Sequence, residues 1–139
     1  MKTLSSVIFS ALLAAFTTLY LTTAVASDET VQHLIVDDIT SYQEAKQVFA
    51  DTTADIKTKT KLDAADLHDI HMITYSLEKA IAYFVENMEG EQKAAAENMA
   101  AVVELVHLGS ENNRKVETQV YLEDYFKRAE AFSQDLTNV

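Results

Sequence analysis

Three polar side chains lie on or beside the apolar face of one long helical pattern, which covers residues 63–89. They are His71, Tyr75 and Glu78, and their i, i+4, i+7 spacing places them along one line of a helix. In the next helical pattern His107 follows Glu104 in an E-x-x-H arrangement. Imidazole and carboxylate groups suit zinc, copper or iron. These residues therefore predict a metal site, a buried polar cluster or, as a third alternative, histidines that lie on the surface.

The turn at Gly90 determines whether the two central histidines, His71 and His107, lie close together. Gly90 lies 19 residues after His71 and 17 residues before His107. In an antiparallel pair of helices with a rise of about 1.5 Å per residue, the two imidazoles are offset by only about 3 Å along the axis. We therefore expect His71 and His107 to lie side by side, near one end of the folded protein.

The metal hypothesis assigns His71 and His107 as the primary ligands of zinc or copper. Its supporting groups are Glu78, Glu104 and His68. A carboxylate-bridged di-iron centre is not expected, because it needs two E-x-x-H motifs and two further glutamates. The alternative is a polar network that fixes the register of the helices. Its members are His71, Tyr75, Glu78 and His107.

The elements that must position these residues are all predicted to be helices. The chain has no proline and only two glycines, Gly90 and Gly109, whereas a β-rich fold of this size needs more turn residues. Four amphipathic patterns with short links predict an antiparallel up-down-up-down four-helix bundle. The alternative is a three-helix bundle with a loosely packed fourth helix.

Helix boundaries follow from capping residues and glycines. A capping box at Ser41 starts the first helix, and Asp63 is the expected N-cap of the second. Gly90 is expected to end the second helix as a left-handed cap, and the third helix is predicted over residues 91–108. Gly109 is expected to stop the third helix. Ser110 is expected to cap the fourth, whose predicted apolar stripe includes Val116, Val120, Leu122, Tyr125, Phe126, Ala129, Ser133 and Leu136.

The domain organisation is a leader, an arm and one bundle. Residues 1–26 are predicted to be a signal peptide, with Lys2 as the basic region, an apolar segment, and a small-x-small cleavage site that ends at Ala26. An uncleaved membrane anchor is the alternative. Residues 27–39 form the predicted N-terminal arm and residues 40–136 the helical bundle domain. Cleavage after Ala26 indicates a periplasmic protein.

Composition excludes several classes of function. The absence of cysteine excludes thiolate metal sites and covalent c-type haem. A formal net charge of −11 disfavours nucleic acid as a partner, and no stable membrane association is expected after signal cleavage. The possible partners are a metal ion, another protein or a second copy of the chain in a homodimer. Aromatic residues on the fourth helix suggest a partner surface. The sequence has no recognisable nucleophile elbow or phosphate loop, so we predict that the protein is not an enzyme.

Two segments resemble a known family. They are I-H-x-x-T-Y-x-L-E at residues 70–78 and V-H-L-x-S-E at residues 106–111. In these the chain resembles a family of small exported bacterial proteins known only as a domain of unknown function. The resemblance implies a periplasmic helical domain and no established activity, substrate or cofactor. The architecture is also similar to that of haem-binding four-helix cytochromes, but their haem-ligand pattern is not reproduced, so haem is not expected.

Overall fold

Four helices make up the described part of the chain. The computed structural model describes residues 37–137, and in this range it has four α-helices and no strand. They are α1 (Tyr42–Thr58), α2 (Ala64–Asn87), α3 (Gly90–Glu111) and α4 (Lys115–Asp135). The all-α prediction is confirmed. The predicted signal peptide and most of the predicted arm lie outside the described residues. Within residues 37–137, no helix is long and apolar enough to cross a membrane.

The first two helices begin where their capping residues predict. The Ser41 hydroxyl accepts a hydrogen bond from the Glu44 N–H at 3.2 Å. The Asp63 carboxylate accepts from the N–H groups of Ala65 and Asp66 at 3.1 and 3.0 Å. These bonds satisfy N–H groups that have no partner within the helix, so both starts are fixed by local sequence.

Gly90 plays a different role from the predicted one. Helix α2 ends at Asn87, and Met88 is its C-cap, whose N–H donates to the Phe84 carbonyl. Gly90 is the first residue of α3 and has φ +57°, in the left-handed region that glycine enters without steric cost. The predicted left-handed backbone is present, but it starts the third helix instead of closing the second.

The predicted helix stop at Gly109 and cap at Ser110 are both wrong. Helix α3 continues through both residues to Glu111, and the buried Ser110 hydroxyl donates to the His107 carbonyl at 2.9 Å. The turn is made by Asn113, which has φ +55°. A Cβ on Gly109 would lie 2.6 Å from the Thr118 Oγ1 atom of α4. Gly109 therefore allows close approach of α3 and α4 and has no role in ending a helix.

Helix α4 buries only part of the predicted stripe: Leu122, Tyr125 and Ala129 are buried as predicted, and so is Leu136 just after the helix. Val116 and Val120 are 74% and 59% exposed. The residues that α4 buries are Thr118, Leu122, Tyr125, Ala129 and Phe132. Thr118 is tolerated in the core because its hydroxyl donates to the Arg114 carbonyl at 2.8 Å. The stripe changes because α4 begins only at Lys115 and turns its Thr118 face towards Gly109 of α3.

All four helices contribute to one core. Successive helices pack extensively, and α1 and α4 make a smaller contact, so the contacts are consistent with a four-helix bundle. The Tyr42 hydroxyl near the start of α1 donates to the Leu136 carbonyl just after α4 at 3.0 Å. Phe132 of α4 stacks edge-on against Phe49 and Phe84. The predicted partner surface rests on four aromatic residues of α4, and two of them, Tyr125 and Phe132, are buried in this core. The other two, Tyr121 and Phe126, are partly buried against it.

Tyr125 gives the bundle a predicted sensitivity to alkali. Burial raises the pKa of Tyr125 well above its ordinary value, although a 2.6 Å hydrogen bond with Thr53 acts in the opposite direction. Above about pH 10 the unfolded chain loses this proton while the folded chain keeps it, so the free energy of unfolding falls as pH rises, by about 1.4 kcal/mol per pH unit. In urea unfolding between pH 9 and 11, we expect Tyr125→Phe to flatten this decline. An equal decline in both proteins would contradict the prediction.

Candidate metal centre

Two neighbouring helices bring the predicted histidines together. His71 on α2 and His107 on α3 have ring centroids 5.0 Å apart, as the spacing around Gly90 predicts. Both side chains are largely buried, with exposed fractions of 7% and 9%. Tyr75 completes a triangle of rings, because its centroid lies 5.1 Å from each imidazole.

Glu78 determines the chemistry of the His107 ring. Its Oε1 atom lies 2.5 Å from His107 Nδ1. An ionised carboxylate can only accept a hydrogen bond, so Nδ1 must carry the hydrogen. In the neutral imidazole this leaves the Nε2 lone pair available to a metal ion. Carboxylate–histidine pairs of this kind orient the ring and increase its basicity as a ligand.

Tyr75 contacts the second imidazole. Its hydroxyl and the Nε2 atom of His71 are 2.9 Å apart and form a hydrogen bond. Burial raises the pKa of Tyr75, and the negative charges of Glu111 and Glu78 raise it further. Tyr75 therefore remains a neutral phenol at neutral pH. It can position His71, but it is a poor anionic ligand.

Three side chains form a group that could hold a metal ion. His71, His107 and Glu111 each offer one ligand atom, and these atoms all lie within 4.8 Å of one another. Ligand atoms on one tetrahedral zinc ion are about 3.3 Å apart, for zinc–ligand distances near 2.0–2.1 Å. Side-chain rotations that draw the atoms together by up to about 1.5 Å would close this group around an ion. Glu111 is half-buried.

Of the three predicted supporting residues, Glu78 contacts one of the two central histidines and the other two are exposed. Glu78 lies beside His107, as the polar-network hypothesis requires. His68 and Glu104 are exposed and do not belong to the ligand group. Glu111 belongs to it, and sequence reasoning missed that residue. The available signal was its i+4 spacing from His107, which is informative only if α3 continues past Gly109.

Over residues 37–137 the chain is thus an all-α bundle with a histidine–carboxylate cluster between its second and third helices. It matches the family of unknown function DUF6746 over residues 1–134 and belongs to that family. The resemblance to a domain of unknown function is confirmed. No curated protein and no solved structure matches the chain.

Proposed function

We propose that the protein binds one divalent transition-metal ion, zinc or copper(II), through His71, His107 and Glu111. The observation that supports the proposal is the convergence of three ligand atoms to within 4.8 Å across two helices. Binding, without a catalytic step, is the proposed role. The periplasm is its proposed location, on the strength of the leader pattern in residues 1–26.

The donor set favours these two ions. Two imidazoles and one carboxylate without a thiolate match zinc sites that keep one position open for water. Copper(II) binds nitrogen and oxygen ligands more tightly than the other divalent first-row ions. The surrounding chain has a net charge of −11, which adds a favourable long-range field for a cation. Iron(II) also accepts this ligand set, so it belongs among the ions tested.

Metal titration against a chelating indicator tests the proposal. We expect one ion per chain for the wild-type protein. Glu111→Gln should weaken binding by about tenfold or more, since it removes one charged ligand of three. Glu104→Gln is the matched control: it removes the same charge from the same helix at an exposed position, and affinity should stay within about twofold. Equal effects of the two variants, or no stoichiometric binding, would contradict the proposal.

Glu78→Gln provides a separate prediction about the group that orients His107. The amide does not carry the charge that holds the ring with Nδ1 protonated, so we expect metal affinity to fall by about 10- to 100-fold. The same titration measures it. Glu86→Gln, at an exposed position two turns further along α2, is the control and should bind like the wild type. If Glu78→Gln binds metal as tightly as Glu86→Gln, Glu78 does not orient a ligand.

A second candidate role is a structural polar network. The hydrogen bonds of His71 with Tyr75 and of His107 with Glu78 favour it, because both imidazoles already have partners within the protein. In the residues that the structure describes, no buried side-chain nitrogen or oxygen lacks a partner. This role predicts that Glu78→Gln lowers the free energy of unfolding while added metal has no effect on stability.

A further inference from the structure

A cavity of about 360 Å³ lies on a different part of the bundle from the histidine cluster. It is formed where α1 ends, where the link to α2 begins, and along the first turns of α4. Its volume is within the range of small-molecule sites, about 300–1,000 Å³. The cavity is lined by Ile56, Lys57, Lys59, Thr60, Lys61, Leu62, Lys115, Gln119, Leu122, Glu123 and Phe126.

Lysines dominate the polar part of this lining. Four of them are present, in a chain with only 11 lysines and arginines against 22 acidic residues. One lining residue, Glu123, carries a negative charge. Lys59 is paired with Asp69 of α2, and the charges of Asp66 and Asp55 act on it as well, so its own charge is offset. Within the lining, the other three lysines are opposed by Glu123 alone. The mouth therefore keeps a positive charge on an otherwise acidic protein, which is a local field suited to an anion.

The floor of the cavity is apolar. Ile56, Leu62 and Leu122 are largely buried, and Phe126 is partly buried. The Lys57 ammonium lies 5.6 Å from the centre of the Phe126 ring, so one cation sits directly above this floor. A ligand that satisfies both regions needs an apolar body and one anionic head.

The backbone of the link is held in an uncommon conformation that forms this cavity. Leu62 has φ +49°, a left-handed conformation that is costly for a bulky residue. The Asp66 carboxylate maintains it by accepting from the N–H groups of Lys61 and Leu62, each at 2.9 Å. The Lys115 ammonium donates to the Lys61 carbonyl at 2.6 Å and joins the link to α4. Strained backbone that neighbouring groups maintain in this way is often found at ligand sites.

We propose that this cavity binds a small amphipathic monoanion, such as a medium-chain carboxylate. The lysine rim pairs with the carboxylate, and the aliphatic chain packs on Leu62, Leu122 and Phe126. The site shares no residue with the metal group, so the two binding proposals can be tested, and disproved, independently of each other.

Calorimetric titration with octanoate tests the proposal, with octan-1-ol and inorganic phosphate as partial probes. We expect one octanoate per chain, bound at least about tenfold more tightly than either probe, because each probe satisfies only one region of the cavity. Octanoate that does not bind at millimolar concentration would overturn the proposal, and so would octan-1-ol or phosphate that binds equally well.

Paired lysine variants locate the site. Lys61→Gln with Lys115→Gln should weaken octanoate binding by about fivefold, the sum of two partly exposed ion pairs. Lys93→Gln with Lys127→Gln makes the same change in net charge at exposed positions outside the cavity, and should change affinity by less than about twofold. Phe126→Ala, which removes part of the floor, should weaken octanoate binding and leave phosphate binding unchanged. Equal losses in the two lysine pairs would mean non-specific attraction and would overturn the assignment.

Discussion

Replacement of both His71 and His107 by alanine is expected to abolish the rise in melting temperature that zinc or copper(II) produces in the wild-type protein. An ion that binds only the folded chain adds about 2.7 kcal/mol to the free energy of unfolding at a concentration 100 times its dissociation constant. Without the two imidazoles, Glu111 alone cannot hold the ion. Thermal melts at increasing metal concentration measure the effect, each variant being compared with its own metal-free melt.

A third histidine provides the control for this experiment. His68 is exposed and lies one turn before His71 on α2. His68→Ala removes an imidazole from the same helix, and we expect it to keep the full metal-dependent rise. A rise that persists in the double variant, or that disappears in His68→Ala, would show that the ion binds elsewhere.

Gly109→Ala is expected to lower the free energy of unfolding by about 2 kcal/mol, although alanine favours helix. The new Cβ would lie 2.6 Å from Thr118 Oγ1 and 3.3 Å from the Tyr121 ring. Thr118 is fully buried and its hydroxyl is bonded to the Arg114 carbonyl, so α3 and α4 must separate to relieve the overlap. Urea unfolding measures the loss.

A double-mutant cycle identifies the cause of this loss. Thr118→Ala removes the atom that Gly109→Ala would strike, so the two together should cost at least about 1 kcal/mol less than the sum of the single variants. Gly90→Ala is the control, because nothing lies within 4 Å of its position and only backbone strain is added. Adding Thr118→Ala to Gly90→Ala should not reduce the loss of stability that Gly90→Ala causes. Additive losses for Gly109→Ala with Thr118→Ala would contradict steric packing as the role of Gly109.

Gly109 is linked to the metal group through α3. Gly109 lies midway between His107 and Glu111, on the helix that carries both. If α3 moves away from α4, these two side chains shift relative to His71 on α2. Metal affinity in Gly109→Ala should therefore fall as well, although no ligand is altered.

Local sequence was sufficient to predict those parts of the structure that local interactions determine. Asp63 accepts the backbone N–H groups that its position as N-cap predicts. The apolar stripe that follows, on α2 and its C-cap residue, is buried over its whole length. The residues of that stripe are Leu67, Ile70, Thr74, Leu77, Ile81, Phe84 and Met88. The approach of His71 to His107 also follows from simple counting around Gly90, because helix rise is constant.

Tertiary packing explains what the sequence could not show. A glycine can serve a left-handed turn or a close contact, and only the position of Thr118 on α4 shows that Gly109 serves the second. A third helix that ends before Gly109, as the sequence predicts, does not contain Glu111, and the carboxylate it places one turn from His107 is Glu104. The buried face of α4 likewise depends on its contact with α3. The valines Val116 and Val120 therefore remain exposed although their sequence pattern predicts burial.

Anomalous diffraction from crystals grown with zinc tests the metal assignment most directly. The assignment predicts one strong peak between α2 and α3, about 2.0–2.1 Å from His107 Nε2, from a ring nitrogen of His71 and from a Glu111 oxygen. The His107 Nδ1–Glu78 hydrogen bond should be retained. Saturating zinc without a peak at these three residues, or with peaks only at exposed carboxylates, would contradict it.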